Sequence, residues 1–227
     1  MSNYINQFLF GYYPYICIVV FLVTSLARYE YAQYGWKTGS SQMLSNEGFL
    51  FASNTFHVGI ILLFFGHFFG LLTPHNLYSK IISAETKQLV AMIMGGIFGV
   101  ICFVGCTFIL YRRLFNNRVR RVGSLSDILV LIIIYTQLIL GLFTILISAN
   151  HLDGSSMMNM ANWAQCIILF KSSAYSFIIN EHIVFKMHIF LGMTIFLIFP
   201  FTRLVHIFSI PVKYVFSTEY QIVRKRT

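Results

Sequence analysis

The chain has 227 residues, of which 57% are hydrophobic and 10% charged, with a mean hydropathy of +0.74 and a formal net charge of +9. A soluble domain carries about 25% charged residues, so this chain lacks the polar groups to cover its surface in water, and lipid is its expected solvent. In such a chain the positive charge is read first as membrane topology, and no nucleic-acid partner is expected.

Four uncharged runs, 1–27, 48–79, 88–111 and 128–152, contain 27, 32, 24 and 25 residues. Each exceeds the ~20 residues a helix needs to cross the hydrocarbon layer. The first has no basic stretch before it and no clear small-residue cleavage site, so it is expected to be a helix rather than a signal peptide. A fifth run, 187–202, is flanked by Lys186 and Arg203, whose stems can snorkel, and continues through "LVHIFSIPV". The expected fold class is all-α, an integral membrane bundle of five transmembrane helices in one domain. The helices are expected at about 4–27, 50–72, 88–111, 126–149 and 184–209, with a cytoplasmic tail from about 210. Residues 162–180, with Lys171 at their centre, are expected to lie on the membrane surface or to re-enter it. The four cysteines, Cys17, Cys102, Cys106 and Cys166, show no metal-finger or haem-attachment spacing and are expected to pack in apolar surroundings.

Five spans place the termini on opposite sides. With the N-terminus outside, the cytoplasmic segments hold Arg28, Lys37, the five arginines of "RRLFNNRVRR", Arg203, Lys213 and "RKR" at 224–226. That is twelve of the sixteen Lys and Arg, leaving Lys80, Lys87, Lys171 and Lys186 outside, and the positive-inside rule selects this orientation.

The second span carries His57 and His67, ten residues or roughly 15 Å apart along a helix, and the fifth carries His188 and His206, eighteen residues or roughly 27 Å apart. The two helices run antiparallel, so the depth-matched pairs are His67 with His188 outside and His57 with His206 inside. The rises differ by roughly 12 Å, and Pro200 is expected to kink or break the fifth helix and absorb part of that mismatch. Ionisable residues inside a membrane are functional candidates. None of the seven acids falls mid-membrane, so a bare zinc or copper site lacks further ligands, whereas haem iron needs only two axial imidazoles. Gly59, Gly66, Gly70 and Gly192 would let a flat macrocycle approach the backbone, or would serve close helix packing. His75, His151 and His182 fall in outer loops and are read as surface residues. A proton-relay channel or transporter, and a purely structural anchor, are the other readings of these histidines.

No flavin, nicotinamide or iron–sulfur fingerprint occurs. Lys87, at the outer membrane edge, is a cation able to hydrogen-bond a quinone oxygen, or else an interfacial anchor. Arg203, three residues before His206, is a candidate partner for a haem propionate.

Several stretches carry a resemblance: "RYEYAQYGWKTGSSQML" (28–44), "ASNTFHVGIILLFFGHFFGLLTPH" (52–75), "KQLVAMIMGG" (87–96), "RRLF" (112–115), "HLDGSSMM" (151–158) and "MHIFLGMTIFLIFPFTRLVHIFSIPVKY" (187–214). In order and over most of the chain, they resemble the gamma subunit, a dihaem cytochrome b, of membrane-bound respiratory nitrate reductase. The resemblance implies five helices with the N-terminus outside, in a bacterial inner membrane. It implies two non-covalent b-type haems, the distal one held by His67 and His188 and the proximal one by His57 and His206. It implies a quinol site lined by Gly66, His67 and Lys87. The partners implied are an iron–sulfur beta subunit and a molybdenum alpha subunit on the cytoplasmic side, with menaquinol or ubiquinol as electron donor in anaerobic respiration. A dihaem cytochrome b of another quinol-linked complex, of heterodisulfide or sulfur-compound reductase type, is the neighbouring alternative. Residues 167–183 match no family motif.

Overall fold

The computed structural model describes residues 3–36, 44 and 48–209; the expected tail from about 210, Lys37, Lys213 and the 224–226 cations lie outside the described residues. The described residues are helical, with no strand among them. Five helices are long and apolar enough to cross a membrane: α1 (Asn3–Tyr31), α2 (Phe49–Leu72), α3 (Ala84–Phe115), α4 (Leu125–Ser148) and the fifth over Ile183–Phe201. Between α4 and the last span lies α5 (Ser155–Ile168), whose 14 residues are too few to cross. The last span is regular only over Ile183–Ile198, here α6.

Local chemistry sets the ends of these helices. Ser83 and Ser124 cap α3 and α4 by accepting from the backbone N–H groups of Thr86 and Asp127. His182, read from sequence as a surface residue, caps α6: its Nδ1 accepts from Val184 N–H at 3.3 Å. At the other ends, glutamine side chains take up orphaned carbonyls. Gln88 donates to the carbonyls of Ser148 and His151 at the end of α4, and Gln165 donates to those of Leu71 and Thr73 at the end of α2.

Proline explains the two irregular helices. Pro14 has no N–H for the Phe10 carbonyl, and α1 widens there into a π-helical turn over Phe8–Tyr12. The Trp163 indole of α5 donates to that carbonyl at 2.9 Å, which ties α5 to α1. Pro200 ends the last span. The continuous helix expected over 184–209 gives way to a 3-10 turn at Phe199–Phe201, an extended Thr202 and a second 3-10 segment, Arg203–Ser209. Arg28, at the end of α1, holds the break by donating to the carbonyls of Pro200 at 2.6 Å and Thr202 at 3.2 Å.

The packing order is α2 on α3, α3 on α4, α4 on α6 and α6 on α1. α2 and α6 face one another with little direct backbone contact, while α5 lies against α2 and α3. The α2–α3 contact is the closest. A Cβ on Gly59 would come within 2.7 Å of the Cys102 backbone, and one on Gly105 would collide with Phe56. Gly59 therefore serves helix packing. Cys102 and Cys106, both fully buried, belong to one apolar cluster with Val130, Leu131, Ile134 and Leu138. All four cysteines are free thiols, three of them buried and Cys166 partly so. A second cluster joins Phe10, Trp163, Ile167 and Ile178 around α1 and α5.

Candidate functional site

The face that α2 turns toward α6 carries two imidazoles, and each meets one from across the gap. The rings of His67 and His188 lie 6.1 Å apart between centroids, inclined by 35°, and those of His57 and His206 lie 6.5 Å apart, inclined by 78°. Both pairs are those expected from depth. The mismatch in rise disappears because His206 follows the break at Pro200 and does not continue the α6 helix.

Two imidazoles bound on opposite sides of one metal ion would place their centroids about 6 Å apart, from a metal–nitrogen bond of about 2 Å and about 1.1 Å from nitrogen to ring centre on each side. The observed separations fit that requirement. Among the described residues, no group of three or more His, Cys, Asp or Glu gathers as a metal site. A bare ion would therefore lack its usual four ligands, whereas two axial imidazoles complete an iron already held in a macrocycle.

Backbone carbonyls orient three of the four rings. The Nδ1 of His57 lies 2.7 Å from the Ser53 carbonyl, that of His67 2.8 Å from Leu63, and that of His206 2.6 Å from Arg203. An Nδ1–H donating to a carbonyl leaves Nε2 with its lone pair outward, the tautomer that ligates a metal. His188 differs: its Nδ1 is buried with no hydrogen-bond partner, and the Gln137 amide nitrogen lies 3.4 Å from its Nε2.

Lys87 sits in the first turn of α3, at the bundle end that also bears His67 and His188. It is 9% exposed, and its Nζ is buried without a hydrogen-bond partner, 3.8 Å from the centroid of the Tyr78 ring. The ring face attracts the ammonium but takes none of its three hydrogen bonds. Burial raises the Tyr78 phenol above its usual range, so Tyr78 is neutral at physiological pH. Gly66 borders open space, since a Cβ there would meet nothing within 4 Å. Gly70 and Gly192 instead face side chains, Met157 and Gln137.

Arg203 pairs with Asp127 at 3.7 Å, and Arg113 pairs with the same carboxylate at 2.9 Å. Burial lowers the Arg203 pKa; Asp127 opposes the fall and Arg113 adds to it. A guanidinium so placed remains a cation at physiological pH. Because Arg203 also supplies the carbonyl that holds His206, this ion cluster connects α3 and α4 to the His206 ring.

Sequence reasoning missed Arg113, Asp127, Gln137 and Tyr78 as neighbours of these groups. It read Arg28 only as a topology signal. Gln137 could have been found, since it is a lone amide in the middle of an uncharged span, where polar side chains join helices. The others lie at helix ends, where charge is unremarkable.

Together these features define a class: a membrane helix bundle with one facing imidazole pair toward each end and a buried cation at one of those ends. The chain belongs to the nitrate reductase gamma subunit family, whose model matches residues 6–226. It is 48% identical to the respiratory nitrate reductase 2 gamma chain of Escherichia coli K12, over all of both chains. Identity to the respiratory nitrate reductase 1 gamma chain of the same organism is also 48%, over 99% of each chain. The nitrate reductase gamma chain of Bacillus subtilis 168 is 33% identical, over 98% of this chain and 99% of its own length. The chain is thus a multi-pass inner-membrane subunit of respiratory nitrate reductase, an oxidoreductase complex.

Proposed function

We propose that this chain is the quinol-oxidising cytochrome b of its complex, with the N-terminus outside and the C-terminus in the cytoplasm. The two His–His pairs at 6.1 and 6.5 Å are the observation that carries this reading. His67 and His188 would hold the distal b haem, and His57 and His206 the proximal one. When bound, such haems supply reversible one-electron uptake and release, which lets a two-electron donor serve one-electron acceptors. The chain delivers electrons to an iron–sulfur beta subunit and a molybdenum alpha subunit on the cytoplasmic side.

The protein's own groups account for the rest. The unsatisfied Lys87 ammonium is a donor placed to bind a quinol oxygen, at the end of the bundle that also carries His67 and the open space at Gly66. A donor held without competing partners favours the oxygen as negative charge develops on deprotonation. Protons released at this end leave on the outer side. At the other end, Arg113, Arg203 and Asp127 form a cationic cluster in which Arg203 is the candidate propionate partner.

The test is a reduced-minus-oxidised spectrum of the purified complex, titrated with menaquinol and ubiquinol analogues. Two b-type components reducible by quinol are expected. A colourless preparation from gentle extraction overturns the proposal.

A further inference from the structure

The pairing imidazoles are not all carried by a regular helix. His57 and His67 belong to α2, and the Nδ1 of each meets the carbonyl four residues back. His206 stands beyond the Pro200 break in a short 3-10 segment, and its Nδ1 meets the Arg203 carbonyl at 2.6 Å. That ring is therefore only as well placed as the backbone of Arg203, which no continuous helix fixes. Arg28 holds the chain before that residue, at Pro200 and Thr202, and Val205 is fully buried after it. At Arg203 itself the contact is ionic: Asp127 Oδ1 lies 3.7 Å from its Nε. The other oxygen of the same carboxylate, Oδ2, approaches Arg113 Nη1 at 2.9 Å, an ion contact outside hydrogen-bond alignment. Asp127 is fixed in turn by α4, since its N–H donates to the capping Ser124 hydroxyl at 3.3 Å, in the first turn where the helix dipole favours a carboxylate. Among the described residues no other acid pairs with either arginine.

We propose that Asp127 is the positioning residue of the proximal centre: its carboxylate fixes the Arg203 guanidinium, and through the Arg203 carbonyl it sets the orientation of the His206 ring. The inference rests on the haem reading of the two imidazole pairs. It also gives the ion cluster a sign. Two guanidinium cations against one carboxylate leave an excess of positive charge, which suits an anionic propionate. The distal pair has no counterpart, because His67 is held by its own helix and the Nδ1 of His188 meets no carbonyl.

Loss of the carboxylate acts on the potential in one direction. Ferric haem carries one more positive charge than ferrous haem, so removing a nearby anion disfavours it, and a loosened Arg203 carbonyl lowers the basicity of His206. Ring orientation is read separately, because the g-values of a low-spin ferric haem with two imidazoles follow the angle between the ligand planes. The experiment is a potentiometric titration of the assembled complex carrying Asp127→Asn or Asp127→Glu, followed by optical difference spectra and EPR. The proximal signal is identified as the one lost in His57→Ala. In Asp127→Asn the proximal midpoint is expected to move to more positive potential and its g-values to shift, with the distal signal unchanged. Asp127→Glu keeps the charge and is expected to stay closer to the parent complex in both readouts. Unchanged proximal g-values in Asp127→Asn overturn the proposal even where the midpoint moves, since charge alone would then account for the change. An equal shift of both haems overturns it, as does an Asp127→Glu complex displaced as far as Asp127→Asn. Should Asp127→Asn fail to assemble, the double variant Arg113→Gln with Asp127→Asn takes its place under the same expectations. Loss of both haems from that variant overturns the proposal too, because Asp127 would then fasten the whole bundle. Absence of haem from the parent complex is a separate result and would sink the haem reading instead.

Discussion

Lys87 shows how a single side chain can hold unspent binding capacity. Its stem is enclosed, its ammonium meets only the Tyr78 ring face, and no hydrogen-bond partner is within reach. A hydrogen bond from a charged donor contributes about 1.5–3 kcal/mol. Lys87→Ala is therefore expected to lower quinol oxidation roughly 10- to 100-fold while both haem signals persist. Steady-state turnover with a quinol analogue, compared with the spectrum of the same sample, checks this; undiminished turnover removes Lys87 from the site. The lysine was legible as a candidate because a cation at a membrane edge is conspicuous. Tyr78 was not legible, because only the return of residues 73–83 against α3 brings its ring under the ammonium.

Helix contacts divide the glycines of α2 and α3 into two kinds that composition could not separate. Gly105 lies against Phe56, whose backbone cannot yield, whereas Gly66 borders open space. Gly105→Leu is expected to force α2 from α3 and to abolish assembly of the membrane subunit, as measured by haem content and detergent-resistant complex. Gly66→Ala should keep both haems and change only the KM for quinol. Equal damage from both substitutions would contradict this division. The break in the last span makes a different demand. Pro200 announced it, yet the sequence could not say what holds the chain beyond the proline. Arg28 does, by donating to two carbonyls at the break. Arg28→Ala leaves these acceptors without their donor, a loss of about 1–3 kcal/mol for a buried group. The signal lost in His57→Ala should then broaden or weaken more than the signal lost in His67→Ala. A uniform loss would indicate general instability instead.

Across the whole molecule, charge is divided by end. The arginines at 112, 113, 118, 120, 121 and 203 lie at the His57–His206 end, and Lys80 and Lys87 lie at the other. The proposed orientation predicts that a single cysteine placed at residue 118 in a variant without native cysteines is labelled only from the cytoplasmic side. A cysteine at residue 152 should be labelled only from the outside. The reverse pattern would put quinol oxidation, with its proton release, on the wrong side for the proposed mechanism.

The five spans and the identity of the four paired histidines follow from sequence alone, and the proposed polarity is read from it too. Hydrophobic length and the distribution of arginine are additive along the chain, and helical rise converts residue number into depth. Contacts across the bundle are not additive in this way. That His206 meets His57 despite an unequal spacing, that Gly59 packs a helix, and that Gln137 rests on His188 depend on which faces meet and on where a proline ends a span. Those contacts join residues far apart in the chain, and only the packed bundle brings them within hydrogen-bonding and van der Waals range.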